Sequence, residues 1–280
     1  GMRMFEKQFE GWYFKQRMND YMLSFIPGRS LDGAFVQVID SHGTKHFDMP
    51  DFKAVKDTVS VGDCVFSPRG IKIRLPGIAG DLKYGEPMTL GYDIMGPFAC
   101  LPMQCRHGVV SMAHTVNGSI TIGSQTYVFE NGSGYIEKDS GNSFPRSYLW
   151  IQCNDFEVPC AFMMSVAHIP FGAFSFTGLI CALILNGKNT SKEYRFATYN
   201  GAVFRARKDG SIILKRGNLE LEIYAYPLYK GGKLAAPDRG RMNRTIHESC
   251  DAYVRLRLCR SDRIIFECDS KKAAYERSFS

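Results

Sequence analysis

The densest group of chemically capable side chains in the sequence is the run Tyr-Ile-Glu-Lys-Asp that begins at Tyr135. If this run is a β-strand, its side chains alternate between two faces, so Glu137 and Asp139 share a face with Tyr135. Lys138 then points to the other face. Two neighbouring carboxyls repel one another as anions, which raises the pKa of one and makes it a proton donor near neutral pH. We predict Asp139, and after it Glu137, as a general acid; the alternative is an ion-paired strand end, with Arg146 as the counter-charge.

Other side chains could act on a ligand, each with a structural alternative. His107 could donate or relay a proton, although an isolated histidine is more often a satisfied structural residue. Gln152 and Asn154 alternate with apolar residues, so they could project together and hydrogen-bond a ligand oxygen, or pair with one another inside a barrel. The two tryptophans, Trp12 and Trp150, could line or plug the barrels, and core packing explains them equally well.

Composition argues against several kinds of site. The nine cysteines contain no Cys-X-X-Cys pair, which indicates reduced, buried thiols and neither a disulfide framework nor a bound metal. The net charge of +7 comes from Lys and Arg spread along the chain, so we expect a solvated surface and no nucleic-acid partner. The residues after Met2 carry charge and aromatics instead of an apolar signal core, and we therefore expect a cytoplasmic protein.

The elements that carry these residues are predicted to be β-strands. Residues 71–75, 219–223 and 254–258 alternate apolar and charged side chains, the pattern of strands with one face on a core. Between such runs lie turn dipeptides that adopt positive φ at low cost: Asp32-Gly33, Asn117-Gly118, Asn131-Gly132, Asn186-Gly187, Asn200-Gly201 and Asp209-Gly210. This pattern predicts antiparallel sheets. Closing such a sheet into a barrel removes its exposed edges, so we expect barrels. Helices should be few and short, with residues 271–277 the best candidate.

Residues 161–185 form an apolar stretch long enough to suggest a membrane span. The stretch contains His168, Pro170, Gly172 and Gly178, and a Pro-Phe-Gly corner divides it into two pieces that each fit a strand buried on both faces. We therefore predict two buried strands and no transmembrane segment. Transient contact with a membrane surface is compatible with this interpretation.

Aromatic strand-like runs recur in the same order in the two halves of the chain. Trp12-Tyr13-Phe14 and residues 24–27, 34–38 and 45–47 correspond to Trp150-Ile151-Gln152 and residues 165–170, 178–180 and 194–196. This order predicts two homologous β-units, although the inexact spacing leaves chance resemblance as the alternative. Gly, Ser and Asn cluster at residues 123–134, so we predict an N-terminal β domain of residues 1–125 and a C-terminal one of residues 126–280.

A longer ordered series of motifs resembles one known family. The motifs are Glu10-Gly11-Trp12-Tyr13-Phe14-Lys15, Met95-Gly96-Pro97-Phe98, Leu101-Pro102, Cys105, His107-Gly108-Val109-Val110-Ser111-Met112, Gly134-Tyr135-Ile136-Glu137-Lys138-Asp139, Ser143-Phe144-Pro145, Trp150-Ile151-Gln152-Cys153-Asn154, Phe196-Ala197-Thr198-Tyr199-Asn200-Gly201-Ala202 and His247-Glu248-Ser249. In this order they are similar to the tocopherol cyclase family nearly from end to end. One short motif would carry little weight, whereas the ordered series is specific.

The resemblance implies an all-β fold of two lipocalin-like antiparallel β-barrels, packed side by side, that enclose an apolar small-molecule site. In characterised members a prenylated benzoquinol closes its chromanol ring without a cofactor, which implies a cyclase of the intramolecular lyase or isomerase type. A buried carboxyl with a raised pKa can protonate the alkene of such a substrate. The candidate catalytic residues are Asp139, Glu137 and His107. The candidate substrate-binding residues are Trp12, Tyr135, Lys138, Phe144, Arg146, Trp150, Gln152 and Asn154.

Four positions depart from the family pattern. Arg106 stands where we expect an aromatic residue, Ser140 where we expect Trp, and Asp155 where we expect His; an acidic residue expected near Ala113 is missing. The resemblance therefore supports the fold more strongly than the reaction. A non-catalytic carrier of an apolar ligand and a structural or protein-binding module remain alternatives, and the natural ligand and oligomeric state are not predicted.

Overall fold

The computed structural model describes residues 7–100, 103–171, 173–187, 190–229 and 231–278. Within these ranges, every regular element is a β-strand except two short 3₁₀ helices, Gly96–Cys100 and Thr198–Asn200. No helix in the described ranges is long and apolar enough to cross a membrane. The all-β prediction is confirmed.

The first sheet contains eleven antiparallel strands. They are β1 (Phe9–Met18), β2 (Tyr21–Ser30), β3 (Gly33–Asp40), β4 (Gly43–Met49), β5 (Phe52–Val55), β6 (Thr58–Val61), β7 (Cys64–Ser67), β8 (Gly70–Leu75), β9 (Ile78–Tyr84), β10 (Cys105–Ile122) and β11 (Gln125–Gly141). Their order across the sheet is β4-β3-β2-β1-β11-β10-β9-β8-β7-β6-β5. The sheet curls strongly, because β6 near one end packs against β2 and β3 near the other.

The second sheet contains the remaining ten strands. They are β12 (Tyr148–Cys153), β13 (Cys160–Phe171), β14 (Phe174–Asn186), β15 (Ser191–Ala197), β16 (Val203–Ala206), β17 (Ile212–Arg216), β18 (Leu219–Pro227), β19 (Gly232–Asp238), β20 (Arg241–Arg260) and β21 (Arg263–Ser278). Their order is β15-β14-β13-β12-β21-β20-β18-β17-β16, and β19 pairs with β20. This sheet curls in the same way, with β15 beside β17.

Nine strands of each sheet follow the same order, as the predicted repeat requires. In each, the first strand lies between the second strand and the last: β1 between β2 and β11, and β12 between β13 and β21. The runs that were matched in the sequence lie on equivalent strands, Trp12 on β1 and Trp150 on β12. The shared strand order is independent of the matched side chains and supports two β-units of the same design.

The chain divides into two compact units, and the division between them does not fall at residue 125. The first unit runs up to Met95 and includes Ala99–Phe144 and Lys233–Thr245; the second comprises Gly96–Phe98, Pro145–Gly232 and the chain from Ile246 onward. The boundary falls after β11 because β11 pairs with both β1 and β10. The glycines near residue 123 thus belong to a hairpin inside the first sheet.

Each sheet packs its concave face into an apolar core. In the first unit Trp12 stacks on Phe14 with ring centroids 6.3 Å apart, and Phe14 packs on Phe66 at 5.3 Å. In the second unit a corresponding core includes Ile151 and Phe162, both fully buried. Burial of such side chains contributes roughly 1.5–3 kcal/mol each, which makes these cores the main source of stability.

Two predictions about single segments have opposite outcomes. Residues 161–185 form the hairpin β13–β14 as predicted, and the described side chains from Cys160 to Ala167 are buried on both faces of the strand.

The prediction of a helix at residues 271–277 is wrong, because these residues belong to β21. The run Lys-Lys-Ala-Ala has high helix propensity, but pairing with β12 and β20 on either side overrides it.

Candidate functional site

The predicted acids lie on the convex face of the first sheet, turned away from its core. On β11, Ile136 belongs to the core, so Tyr135, Glu137 and Asp139 project from the opposite face. His107 on β10 lies directly across from Asp139 in the ladder. The prediction that the carboxyls share a face with Tyr135 is confirmed, and that face is turned away from the core of the first sheet.

These side chains form one buried polar cluster. The His107 Nδ1 atom hydrogen-bonds the Asp139 Oδ1 atom and lies 3.8 Å from Glu137 Oε2. Tyr135 donates its hydroxyl to Glu137 Oε1 at 2.9 Å. The side chains of His107, Glu137 and Asp139 are 18%, 5% and 14% exposed, so little water screens their charges.

The pKa values of the Asp139 and Glu137 carboxyls are shifted in opposite directions. Burial and the neighbouring negative charge of Glu137 raise the pKa of Asp139 to about 7, against a lowering effect of His107. Burial would also raise the pKa of Glu137, but its interactions with His107, Asp139 and Tyr135 outweigh burial and leave that pKa below its ordinary value. Glu137 is therefore the anion of the pair and Asp139 the group that gains and loses a proton near neutrality.

His107 carries the positive charge of the cluster. Burial lowers its pKa, but the neighbouring Cys105 and Asp139 side chains outweigh burial and hold the pKa well above the ordinary value. The Cys105 sulfur lies 4.0 Å from Nε2, while Nδ1 faces Asp139. One ligand atom from each of Cys105, His107 and Asp139 lies within 4.8 Å of the other two, a spacing that would also allow the three to hold a metal ion.

Two further residues, Gly11 and Phe9, lie beside Asp139 and were not among the predicted site residues. Gly11 on β1 lies directly across from Asp139, and the position of its absent Cβ is only 2.8 Å from the Phe9 ring. Phe9 in turn packs edge-on against Phe144, with ring centroids 5.9 Å apart. The predicted ligand-contact residue Phe144 therefore joins an apolar wall beside the acid. The alternation of Phe9 and Gly11 on one strand face was the available signal.

Lys138 and Trp12 lie on the other face of the same strands. The Lys138 Nζ atom is 4.7 Å from the centre of the Trp12 ring and 3.5 Å from Glu10 Oε1. Glu10 also pairs with Arg29 at 3.4 Å. The structure thus separates these two predicted ligand-contact residues from Asp139, and Trp12 serves the core.

The remaining predicted contact residues belong to the second unit. Ile151 and Cys153 point into its core, so Trp150 and Gln152 lie on the opposite face of β12, both buried. Trp150 therefore lies outside the core of the second unit. Gln152 donates to Asn154 Oδ1 at 3.2 Å, so these two amides do project together. The backbone carbonyl of Arg146 accepts a bond from Ser278.

Two of the four departures from the family pattern lie away from the acids. Arg106 and Ser140 face one another across β10 and β11, on the side opposite to His107 and Asp139. The other two lie outside the cluster: the carbonyl of Ala113 accepts a bond from Met88, and that of Asp155 accepts one from Ser270. None of the four replaces a member of the acid cluster.

The chain matches one protein family in sequence. Residues 78–277 match the family model described as tocopherol cyclase-like. The chain is 36% identical over 78 residues to the chloroplastic tocopherol cyclase of Zea mays, a match that spans 28% of this chain and 15% of that protein. A probable chloroplastic tocopherol cyclase of Oryza sativa subsp. japonica is 33% identical over 78 residues, or 16% of its length.

The fold has a solved counterpart. A putative AttH from Nitrosomonas europaea superposes with a TM-score of 0.56 over 96% of this chain and 92% of the other, at 13% identity. This likeness shows the fold of two lipocalin-like β-units and nothing about activity. The family model covers well over half of the chain, and the chain therefore belongs to the tocopherol cyclase-like family.

Proposed function

We propose that this protein binds a hydrophobic, prenylated small molecule and closes a ring on it by acid catalysis, without a cofactor, with Asp139 as the proton donor. The observation that carries the proposal is the buried Glu137–His107–Asp139 cluster, in which the pKa of Asp139 is raised to about 7. A carboxyl with an ordinary pKa of 3.8 would have lost its proton at neutral pH. Asp139 keeps a proton to donate.

The reaction needs one acid and one base in succession. Asp139 transfers its proton to the less substituted carbon of a trisubstituted alkene, and the π pair forms the new C–H bond. A phenol oxygen of the same molecule bonds to the resulting tertiary cation, and the phenolic proton then leaves. Asp139, now a carboxylate, accepts that proton and is regenerated, so no oxidant or reductant is consumed.

The neighbouring groups support this role electrostatically. Glu137 stays ionised, and a fixed negative charge in a poorly solvated site stabilises a developing carbocation. His107 holds the Asp139 carboxyl through Nδ1 and keeps the cluster from carrying two uncompensated negative charges. The Phe9 and Phe144 rings limit water near Asp139, and each buried methylene of a prenyl tail would add about 0.8 kcal/mol of binding.

The test is turnover of a panel of prenylated quinols by wild type, Asp139→Asn and Asp57→Asn. Asp57 is exposed and serves as the matched control. We expect Asp139→Asn to fold and to bind the quinols but to lose turnover at least about a hundredfold, while Asp57→Asn matches wild type. Equal turnover by wild type and Asp139→Asn would refute the role of Asp139.

The second candidate is a non-catalytic carrier of an apolar ligand. It is favoured by two features: Asp155 stands where the family resemblance leads us to expect a histidine, and the acid expected near Ala113 is missing. If wild type and Asp139→Asn bind the same prenylated quinols and neither converts them, the carrier is the better description.

A further inference from the structure

A basic cleft lies in the first unit, formed by β3, β4 and the segment Lys233–Thr245. Its volume is about 270 Å³, at or below the lower end of ordinary small-molecule sites. Three cationic side chains line it: Lys45 on β4, Lys233 on β19 and Arg244 on β20. Its size and charge suit a compact anion and do not suit a prenyl tail.

Two of the three cationic side chains of the cleft, Lys45 and Lys233, have no acidic neighbour among the residues described as lining it. Of the residues described as lining it, none is Asp or Glu. Lys45 and Lys233 are both exposed, and neither forms an ion pair with any residue in the described ranges. Asp48 lies near its rim but pairs with His46 at 3.3 Å. Like charges gathered in a concave surface raise the local potential and attract anions.

The walls of the cleft are held in place by hydrogen bonds. The Gln37 side-chain amide donates to the backbone carbonyl of Ala235 at 2.9 Å and accepts a bond from the backbone N–H of Ala235 at 2.8 Å. These two hydrogen bonds hold β19 against β3. The terminal Nη1 atom of Arg244 donates to the carbonyl of Phe144 at 3.1 Å, which orients the guanidinium. A rigid cationic cleft loses little entropy when an anion binds.

We propose that this cleft binds a phosphoryl group, with Lys45 and Lys233 supplying charge and Arg244 supplying directed N–H donors. Arginine matches the tetrahedral oxygens of a phosphoryl group geometrically, whereas lysine acts as a mobile point charge. Asn243 and Thr245 also line the cleft and offer neutral donors to the remaining oxygens. The group could come from a free phosphate compound or from the headgroup of an anionic lipid, and the proposal does not depend on Asp139.

The test measures binding by wild type, Lys45→Ala/Lys233→Ala and Lys53→Ala/Lys72→Ala at fixed ionic strength. Lys53 and Lys72 are exposed lysines of the same unit outside the cleft, so the control removes the same net charge. Inorganic phosphate and pyrophosphate are titrated calorimetrically, and phosphatidylcholine vesicles with and without phosphatidic acid are used for co-sedimentation. Thermal melting of each variant establishes that it is folded.

We expect the cleft variant to weaken binding by roughly tenfold or more while the control stays within about twofold of wild type. Loss of phosphate or pyrophosphate binding identifies a free phosphoryl compound, and loss of binding seen only with phosphatidic acid identifies a lipid headgroup. The proposal is overturned if wild type binds none of these probes, or if both double variants weaken binding equally.

Discussion

The raised pKa of Asp139 predicts a particular dependence of stability on pH. The unfolded chain releases this proton near the ordinary value of 3.8, and the folded chain holds it to about 7. Between those values the folded state is protonated and the unfolded state is not, so the Asp139 contribution to the free energy of unfolding falls as pH rises. The slope is about 1.4 kcal/mol per pH unit, or about 4 kcal/mol over the whole interval.

Asp139→Asn removes this contribution while keeping the size and polarity of the side chain. The unfolding free energy of the variant minus that of wild type should therefore rise by about 3 kcal/mol between pH 4 and pH 6.5. The raised pKa of His107 contributes stability that is fully present below its ordinary value of 6.5 and is lost only at higher pH. Restricting the measurement to pH 6.5 and below therefore separates Asp139 from His107.

The assay is urea unfolding followed by tryptophan fluorescence in a Trp150→Phe background. The sequence contains two tryptophans, so this background leaves Trp12, buried in the first unit, to report on the unit that contains Asp139. Asp57→Asn is the matched control and should show no rise. If the unfolding free energy of Asp139→Asn minus that of wild type stays constant or falls as pH rises, the raised pKa does not belong to Asp139.

Two further perturbations probe the surroundings of Asp139. Gly11→Ala would bring a Cβ atom within 2.8 Å of the Phe9 ring, so we expect the unfolding free energy to fall by about 1–3 kcal/mol. Gly108→Ala is the control, because its Cβ would have only the Lys138 carbonyl nearby, at 3.9 Å, and it should lower the unfolding free energy by less. Equal losses in the two variants would contradict the crowding of Gly11 by Phe9. His107→Gln removes the positive charge that lowers the pKa of Asp139, so ¹³C-carboxyl NMR should find the midpoint of Asp139 titration above about 7; a midpoint that fell instead would show that His107 does not stabilise the carboxylate.

The part of the site that sequence could predict is the part set by a single strand. Alternation along β11 placed Tyr135, Glu137 and Asp139 together, because the period of a strand is a local property. The pairing of His107 with Asp139 depends on the register of β10 against β11, and that ladder contains shifts between Val109 and Ser111 and beyond. Such bulges are not visible in the alternation of either strand.

Which face of the strand meets the core was the harder question. Both faces of β1 are buried from Phe9 to Arg17, so hydrophobicity alone could not tell the side of Trp12 from the side of Tyr13. The same ambiguity affected Trp150. The repeat, in contrast, was predictable because it rests on the order of strands and not on which way each side chain points.

The separation of faces also explains how this chain can depart from its family without losing the acid cluster. Arg106 and Ser140 are each adjacent in sequence to a member of the cluster, yet the pleat sends them to the opposite side of the sheet. Substitutions at positions 106 and 140 therefore affect the surroundings of Glu10 and Lys138, whose side chains lie on the same face of the sheet as Arg106 and Ser140. A change of Trp to Ser at position 140 is therefore expected to alter packing near that end of the barrel more than the proton affinity of Asp139. The residues that decide whether Asp139 works as an acid are those that share its face: Phe9, Gly11, His107 and Glu137.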